Sequence, residues 1–190
     1  MTTILLARHG ESDWNVEQRW QGHADRPLTD RGRAQAEELA RRLDTHLLDA
    51  VYSSDLRRAL DTARAVASRR ALTVTARRDL REVDCGSWSG RLHTEIEPAA
   101  LERWKAGEKA WSGGESYAEM GVRLVSAVLA VASGHPGERV LVVSHGAAIR
   151  GVLAAASGLS FQEYRRLHPT VANAGLSVVC VENGALTRAE

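Results

Sequence analysis

Two short apolar runs in this chain end in the same way. Ile4-Leu5-Leu6-Ala7 runs into Arg8-His9-Gly10, and Val140-Leu141-Val142-Val143 runs into Ser144-His145-Gly146. A histidine can attack an electrophile or move a proton near neutral pH. A glycine after it lets the backbone turn tightly or approach a ligand. One histidine at a strand end is more often structural, but two His-Gly ends in one chain point to a shared site. Arginines stand close in sequence: Arg8 adjoins His9, and Arg57-Arg58 open the segment after Ala50-Val51-Tyr52-Ser53. The guanidinium fork donates two parallel hydrogen bonds to a phosphate, and nearby positive charge disfavours imidazolium, keeping a histidine neutral and able to attack phosphorus. Phosphoryl transfer also needs a proton for the leaving oxygen and a base for an attacking water. Leu80-Arg81-Glu82-Val83-Asp84 offers two carboxylates, and spacing does not choose between them.

The elements that must position these groups follow from hydrophobic period. Thr3 to Ala7 and Val140 to Val143 read as buried strands, Ala50 to Ser53 as another, Leu72 to Thr75 as a weaker one and Leu176 to Val181 as the last, with an edge strand after Asn183-Gly184. Thr29 is a good N-cap for a helix carrying Ala36, Leu39, Ala40, Leu43 and Leu47 on one face. Ser54 or Asp55 is expected to cap a helix with Leu56, Leu60, Ala63 and Ala67 on one face, and its N-terminus offers donors for an anion. Further helices are expected from about Ser116 to Ala132 and from Gly146 to about Ala156. Strands alternating with helices predict an α/β fold, three layers with a mostly parallel central sheet. In such sheets ligands bind beyond the carboxyl ends of the strands, where both histidines lie. One domain over 1–190 is expected, with a polar, lid-like segment at about 91–113. The rim of the site is expected to draw on Trp14, Trp20, His23, Trp88 and that segment.

Composition narrows the classes. A formal net charge of +1 supplies no global field toward nucleic acid or an acidic membrane. No run is long enough for a membrane helix, and Ile4 to Ala7 is too short for a signal core, so a cytoplasmic protein is the expectation. Cys85 and Cys180 are isolated and form neither a disulfide framework nor a zinc motif.

The chain resembles the histidine phosphatase superfamily, in its phosphoglycerate mutase-like branch. The resemblance rests on Leu6-Ala7-Arg8-His9-Gly10-Glu11-Ser12-Asp13-Trp14-Asn15, on Gln21-Gly22 and on Asp25-Arg26-Pro27-Leu28-Thr29 with Gly32 and Gln35-Ala36. It continues through Ser53-Ser54-Asp55-Leu56-Arg57-Arg58-Ala59 with Thr62-Ala63, Leu80-Arg81-Glu82 with Gly86 and Trp88, Gly114-Glu115-Ser116 and Val143-Ser144-His145-Gly146. These blocks stand in the family's order over nearly the whole chain. The resemblance implies that His9 is phosphorylated, that Arg8 and Arg58 hold phosphoryl oxygens, that His145 is the second pocket histidine and that Glu82 is the proton donor. It also places Asn15 in the phosphate pocket, Gln21 and Gly22 in the substrate loop, and Gly146 beside the second histidine. Departures are Ser89 where many relatives carry Glu, and Cys85-Gly86 where mutases of the group usually show Tyr-Gly.

The expectation is a phosphatase for small phosphate monoesters, needing no metal or cofactor and working best at neutral to mildly acidic pH. Its partner is a small phosphorylated metabolite, and the terminal edge strand allows a homodimer. The rivals are phosphoglycerate mutase-type transfer, a metal-dependent phosphoesterase using His9, His145, Glu82 and Asp13, and a phosphate-binding protein without turnover.

Overall fold

The computed structural model of the chain describes residues 1–189. Its strands are β1 (Thr2–Arg8), β2 (Ala50–Ser54), β3 (Val74–Arg77), β4 (Arg139–Ser144), β5 (Leu176–Glu182) and β6 (Ala185–Arg188). They form one sheet in the order β3-β2-β4-β1-β5-β6. The pairs β3-β2, β2-β4 and β4-β1 are parallel, while β5 and β6 add antiparallel at one edge.

The continuous apolar runs of β1 and β4 are explained by burial on both faces. Ile4, Leu6, Val140 and Val142 point into one core; Leu5, Ala7, Leu141 and Val143 point into the other. Each large apolar side chain buried this way contributes about 1.5–3 kcal/mol. Helices α2 (Asp30–Leu43) and α3 (Arg57–Ser68) cover the second core. Helices α5 (Tyr117–Ser133) and α6 (Gly146–Ala156) cover the first. Short helices α1 (Asp13–Val16), α4 (Pro98–Ala106) and α7 (Phe161–Leu167) complete the chain. The result is the expected α/β/α sandwich with a mostly parallel sheet.

Local boundaries differ from the expectation in four places. Thr29 caps α2 through its side chain, which accepts from Gly32 N, but the helix ends at Leu43 and leaves Leu47 exposed in a loop. The N-cap position of α3 is Leu56, not Ser54 or Asp55; Ser54 Oγ instead accepts from Leu56 N at 3.3 Å, and Leu60 is only partly buried. The third strand lies two residues later, at Val74–Arg77. Helix α7 had no expected counterpart, because its charged Arg165-Arg166 surface breaks the apolar period.

The segment 91–113 holds a turn of 3-10 helix at His93–Glu95 and helix α4. It buries Ile96 and Trp111 in the first core and leaves Trp104 half-buried. No helix of the described residues is long and apolar enough to cross a membrane.

Candidate active site

The register of the sheet brings the two histidines together. Arg8 pairs with Ser144 across β1 and β4, so the next residue on each strand, His9 and His145, leaves the carboxyl edge side by side. Their rings lie 5.1 Å apart, edge to face. His9 N donates to Ser144 O at 3.0 Å, which ties the two strand ends to one another.

His9 is buried, and its Nδ1 lies 2.6 Å from Gly10 O. A carbonyl can only accept, so Nδ1 carries the ring proton and Nε2 keeps its lone pair. Burial, then the positive charges of Arg58 and Arg8, hold the His9 ring well below the ordinary histidine range. His145 is held down likewise by burial and by Arg58. Both rings are therefore neutral near pH 7.

The backbone around His9 is anchored from several sides. Gly10 N donates to Thr62 Oγ1 at 3.0 Å, and Thr62 Oγ1 donates to Arg58 O at 2.8 Å. Asn173 Nδ2 donates to His9 O at 3.1 Å and reaches Asn15 Oδ1 at 3.3 Å. The loop packs directly on the start of α2, where a Cβ on Gly32 would fall 1.9 Å from Glu11 O. These anchors join residues far apart in sequence, and no short motif announces Asn173.

Arg58 rather than Arg57 enters the site. Arg58 is buried and donates Nη1 to Ala24 O at 2.6 Å and Nη2 to Gly22 O at 3.0 Å. Burial pushes its guanidinium down to about 10, still cationic at neutral pH. Arg57 is exposed, and its backbone N–H donates to Asp25 Oδ1 at 2.6 Å. The expected anion site at the start of α3 is thus already occupied by an aspartate. Gly22, at φ +47°, both turns the loop and supplies an acceptor to Arg58; a Cβ there would fall 2.6 Å from Cys85 Sγ. Arg8 donates Nη1 to Val171 O at 2.5 Å.

Of the two acidic candidates, Glu82 lines the cleft and Asp84 does not. Glu82 sits at the N-terminus of α6. Its Oε2 accepts from Ala147 N, and its Oε1 accepts from Ala148 N and Val83 N, all at 3.0 Å. A carboxylate offers about four lone-pair sites, so one remains for a proton. Asp84 instead accepts from Gly86 N at 3.0 Å and holds a turn.

Asn15 and Gln21 also line the cleft, steered by the buried Ser12 hydroxyl, which lies 3.0 Å from Asn15 Oδ1 and 2.9 Å from Gln21 Oε1. The single hydroxyl proton serves Gln21 Oε1 while Asn15 Oδ1 accepts from Ser12 N at 3.0 Å and Asn173 Nδ2 at 3.3 Å, so the two amide nitrogens are left as donors. Gly146 lines the cleft next to Arg8, where a Cβ would stand 3.5 Å from Arg8 Nε.

The cleft holds about 760 Å³. Trp14, Trp20 and Trp104 line it, but Trp88 and Trp111 are core side chains and His23 lies outside it, with Nε2 2.8 Å from Glu82 O. Around His9, the ring nitrogens of His145, one of them an N–H donor, and the Nε atoms of Arg8 and Arg58 are buried without any hydrogen-bond partner among the described residues. Buried donors without partners are expensive, so the cluster is built for an anion with several oxygens. Among the described residues, no group of three or more His, Cys, Asp or Glu side chains is disposed to hold a metal ion.

Known proteins resemble the chain in sequence and in fold. Phosphoglycerate mutase-like protein 4 of Arabidopsis thaliana is 39% identical over 157 residues, covering 78% of this chain and 68% of that protein. Phosphoserine phosphatase 1 of Hydrogenobacter thermophilus is 35% identical over 169 residues, covering 86% and 80%. Among solved structures, YhfR of Bacillus stearothermophilus superposes with a TM-score of 0.92 at 33% identity, over 100% of this chain and 96% of that one. A mycobacterial glucosyl-3-phosphoglycerate phosphatase superposes with a TM-score of 0.86 at 33% identity, over 94% and 92%. The family model for branch 1 of the histidine phosphatase superfamily matches residues 4–189, and the chain belongs to that superfamily.

Proposed function

We propose that this phosphatase hydrolyses small phosphate monoesters through a phosphohistidine on His9. The observation that carries the reading is the cluster of buried, unpartnered donors around a neutral imidazole whose Nδ1 proton is committed to Gly10 O. His9 Nε2 attacks phosphorus, and the bond from phosphorus to the leaving oxygen breaks. Arg8, Arg58, Asn15 and His145 hold the non-bridging oxygens and oppose the charge that gathers there. Glu82 gives its proton to the leaving oxygen. Gly10 O faces the positive charge that the ring acquires once Nε2 is bonded to phosphorus. Water then attacks the phosphohistidine while Glu82 takes its proton, the N–P bond breaks, and inorganic phosphate leaves. Gln21, Gly22 and Gly146 shape the floor of the cleft.

A small phosphorylated metabolite as substrate is supported by relatives named phosphoserine phosphatase and glucosyl-3-phosphoglycerate phosphatase. A mutase reading draws on the relative named phosphoglycerate mutase-like protein, and a coupled assay for interconversion of 2- and 3-phosphoglycerate tests it. The decisive experiment is hydrolysis of 4-nitrophenyl phosphate with chelator present, on the wild type and His9→Ala. Chelator-resistant turnover that disappears in the variant, with phosphate trapped on His9 by acid-free mass spectrometry, is expected. Turnover that survives the substitution, or that chelator abolishes, would refute the scheme.

A further inference from the structure

Beyond the reacting centre the cleft wall is cationic. Among the described residues its lining includes Arg8, Arg19, Arg58, Arg150, Arg165 and Arg166, against a single carboxylate, Glu82. Arg8 and Arg58 belong to the phosphoryl site, and Arg19 is paired with Glu17 at 2.6 Å. Arg150, Arg165 and Arg166 have no carboxylate within 4.0 Å among the described residues. Arginines elsewhere are paired in many cases, as in Arg81 with Asp55 at 2.6 Å, and unpaired ones such as Arg42 stand exposed on the surface, whereas this wall gathers three into one cleft.

The geometry of these side chains is that of a binding surface. Arg150, on α6, donates Nε to Gly146 O at 3.2 Å and Nη1 to Pro169 O at 2.6 Å. Two backbone carbonyls thus hold the guanidinium still, while Nη2 makes no hydrogen bond among the described residues. Arg165, on α7, lies 4.2 Å over the Trp104 ring and donates Nη2 to Lys105 O at 3.0 Å. Its Nη1 has no acceptor among the described residues, and neither does Trp20 Nε1 in the same wall. A half-buried cation without a counter-ion is costly unless an anion joins it. Burial pulls the Arg165 guanidinium below its ordinary value, and Arg150 adds to the effect; burial and Arg150 lower Arg8 in the same sense. Arg8, Arg150 and Arg165 line the same cleft as one series, with Arg150 held on the carbonyl of Gly146, the residue that stands beside Arg8 Nε.

We infer that Arg150 and Arg165, backed by Trp104, form a second anion subsite, so that the favoured substrates are phosphate monoesters whose leaving group itself bears an anionic group. This rests on the phosphatase reading above. A carboxylate and a second phosphate are the two sources of that charge. The volume of the cleft accommodates a leaving group of sugar size as well as a three-carbon one.

The test compares substrates matched in length and differing in charge. Glycerol 3-phosphate is set against 3-phosphoglycerate, and sorbitol 6-phosphate against 6-phosphogluconate and fructose 1,6-bisphosphate. In at least one set the wild type is expected to prefer the anionic member by about tenfold or more in kcat/KM. That ratio should collapse toward one in Arg150→Gln and in Arg165→Gln, which lie on separate helices and serve as checks on each other's folding. Whether the carboxylate or the bisphosphate gains more identifies the anion. Calorimetric titration of the same compounds into His9→Ala reads the preference as affinity without turnover, so the subsite is judged even if the phosphohistidine scheme fails. Ratios near one in both sets, or a preference that survives both substitutions, would overturn the inference.

Discussion

Thr62→Val asks whether the nucleophile is held in place from α3. Thr62 is fully buried, accepts from Gly10 N at 3.0 Å and donates to Arg58 O at 2.8 Å. Valine keeps the shape and replaces the hydroxyl with a methyl. The Arg58 carbonyl lies inside α3 and keeps its place in the helical ladder, so its loss is small. The Gly10 N–H, in contrast, is left buried without an acceptor, which costs about 1–3 kcal/mol. In a chain of this size about 1 kcal/mol moves Tm by roughly 2–4 °C, so a fall of about 2–12 °C is expected. There is a kinetic consequence as well. The same peptide carries His9 O, which accepts from Asn173 Nδ2 at 3.1 Å, while the next peptide offers Gly10 O to His9 Nδ1 at 2.6 Å. A His9–Gly10 peptide that rotates to rehydrate its N–H breaks the Asn173 contact and shifts the adjoining peptide that holds Nδ1, and the imidazole loses its aim. Small displacements of a reacting atom cost up to about a hundredfold, so kcat should fall about ten- to a hundredfold with KM moving less. Thr62→Ser is the control, since it loses one methyl, about 0.8 kcal/mol, and keeps both hydrogen bonds. Differential scanning calorimetry and steady-state hydrolysis of 4-nitrophenyl phosphate read the two effects. A valine variant with wild-type Tm and wild-type kcat would refute the anchoring argument.

Three further outcomes are expected. Glu82→Gln should still be phosphorylated by 4-nitrophenyl phosphate, whose leaving group needs no proton, but should lose the base for water attack. Rapid mixing should then show a burst of about one equivalent of nitrophenolate followed by turnover slowed about 10²–10⁴-fold; undiminished steady turnover would exclude Glu82 from the second step. Gly32→Ala should lower the urea midpoint and the activity together, because its Cβ would fall 1.9 Å from Glu11 O and force the loop bearing His9 to shift; overpacking of this kind costs about 1–3 kcal/mol, and an unaltered midpoint would show that the two backbones can separate freely. The third concerns pH. His9 and His145 are kept neutral in the fold, chiefly by burial, well below their ordinary value of 6.5. The unfolded chain therefore takes up protons that the folded chain refuses, so stability is complete above pH 6.5 and declines as pH falls below it. Denaturant midpoints from pH 7 to pH 5 should fall in the wild type and fall less steeply in His145→Ala, and a wild-type midpoint flat over that range would contradict the assignment.

Much of this molecule is legible in local pattern. The unbroken apolar runs of β1 and β4 announce strands buried on both faces, and the stripe on α2 announces a helix packed on a sheet. Thr29 and Ser116 announce two helix starts because capping is a contact between near neighbours. The two His-Gly strand ends, with Arg8 beside one of them, lead to the expectation of a shared phosphoryl site at the carboxyl edge of a parallel sheet before any coordinate is known. Spacing could not decide what depends on contacts between distant segments. The register that pairs Arg8 with Ser144 sets the histidines side by side. Burial separates Arg58 from exposed Arg57, and the N-terminus of α6 receives Glu82 while Asp84 closes a turn. Packing sends Trp88 and Trp111 to the core and Trp14, Trp20 and Trp104 to the cleft. The anchors Thr62 and Asn173 and the series from Arg8 through Arg150 to Arg165 have no sequence signature, since each joins elements that only the fold makes neighbours. Local chemistry is written in residue types and periods of two to four; which side chains share a pocket is settled by how the layers close.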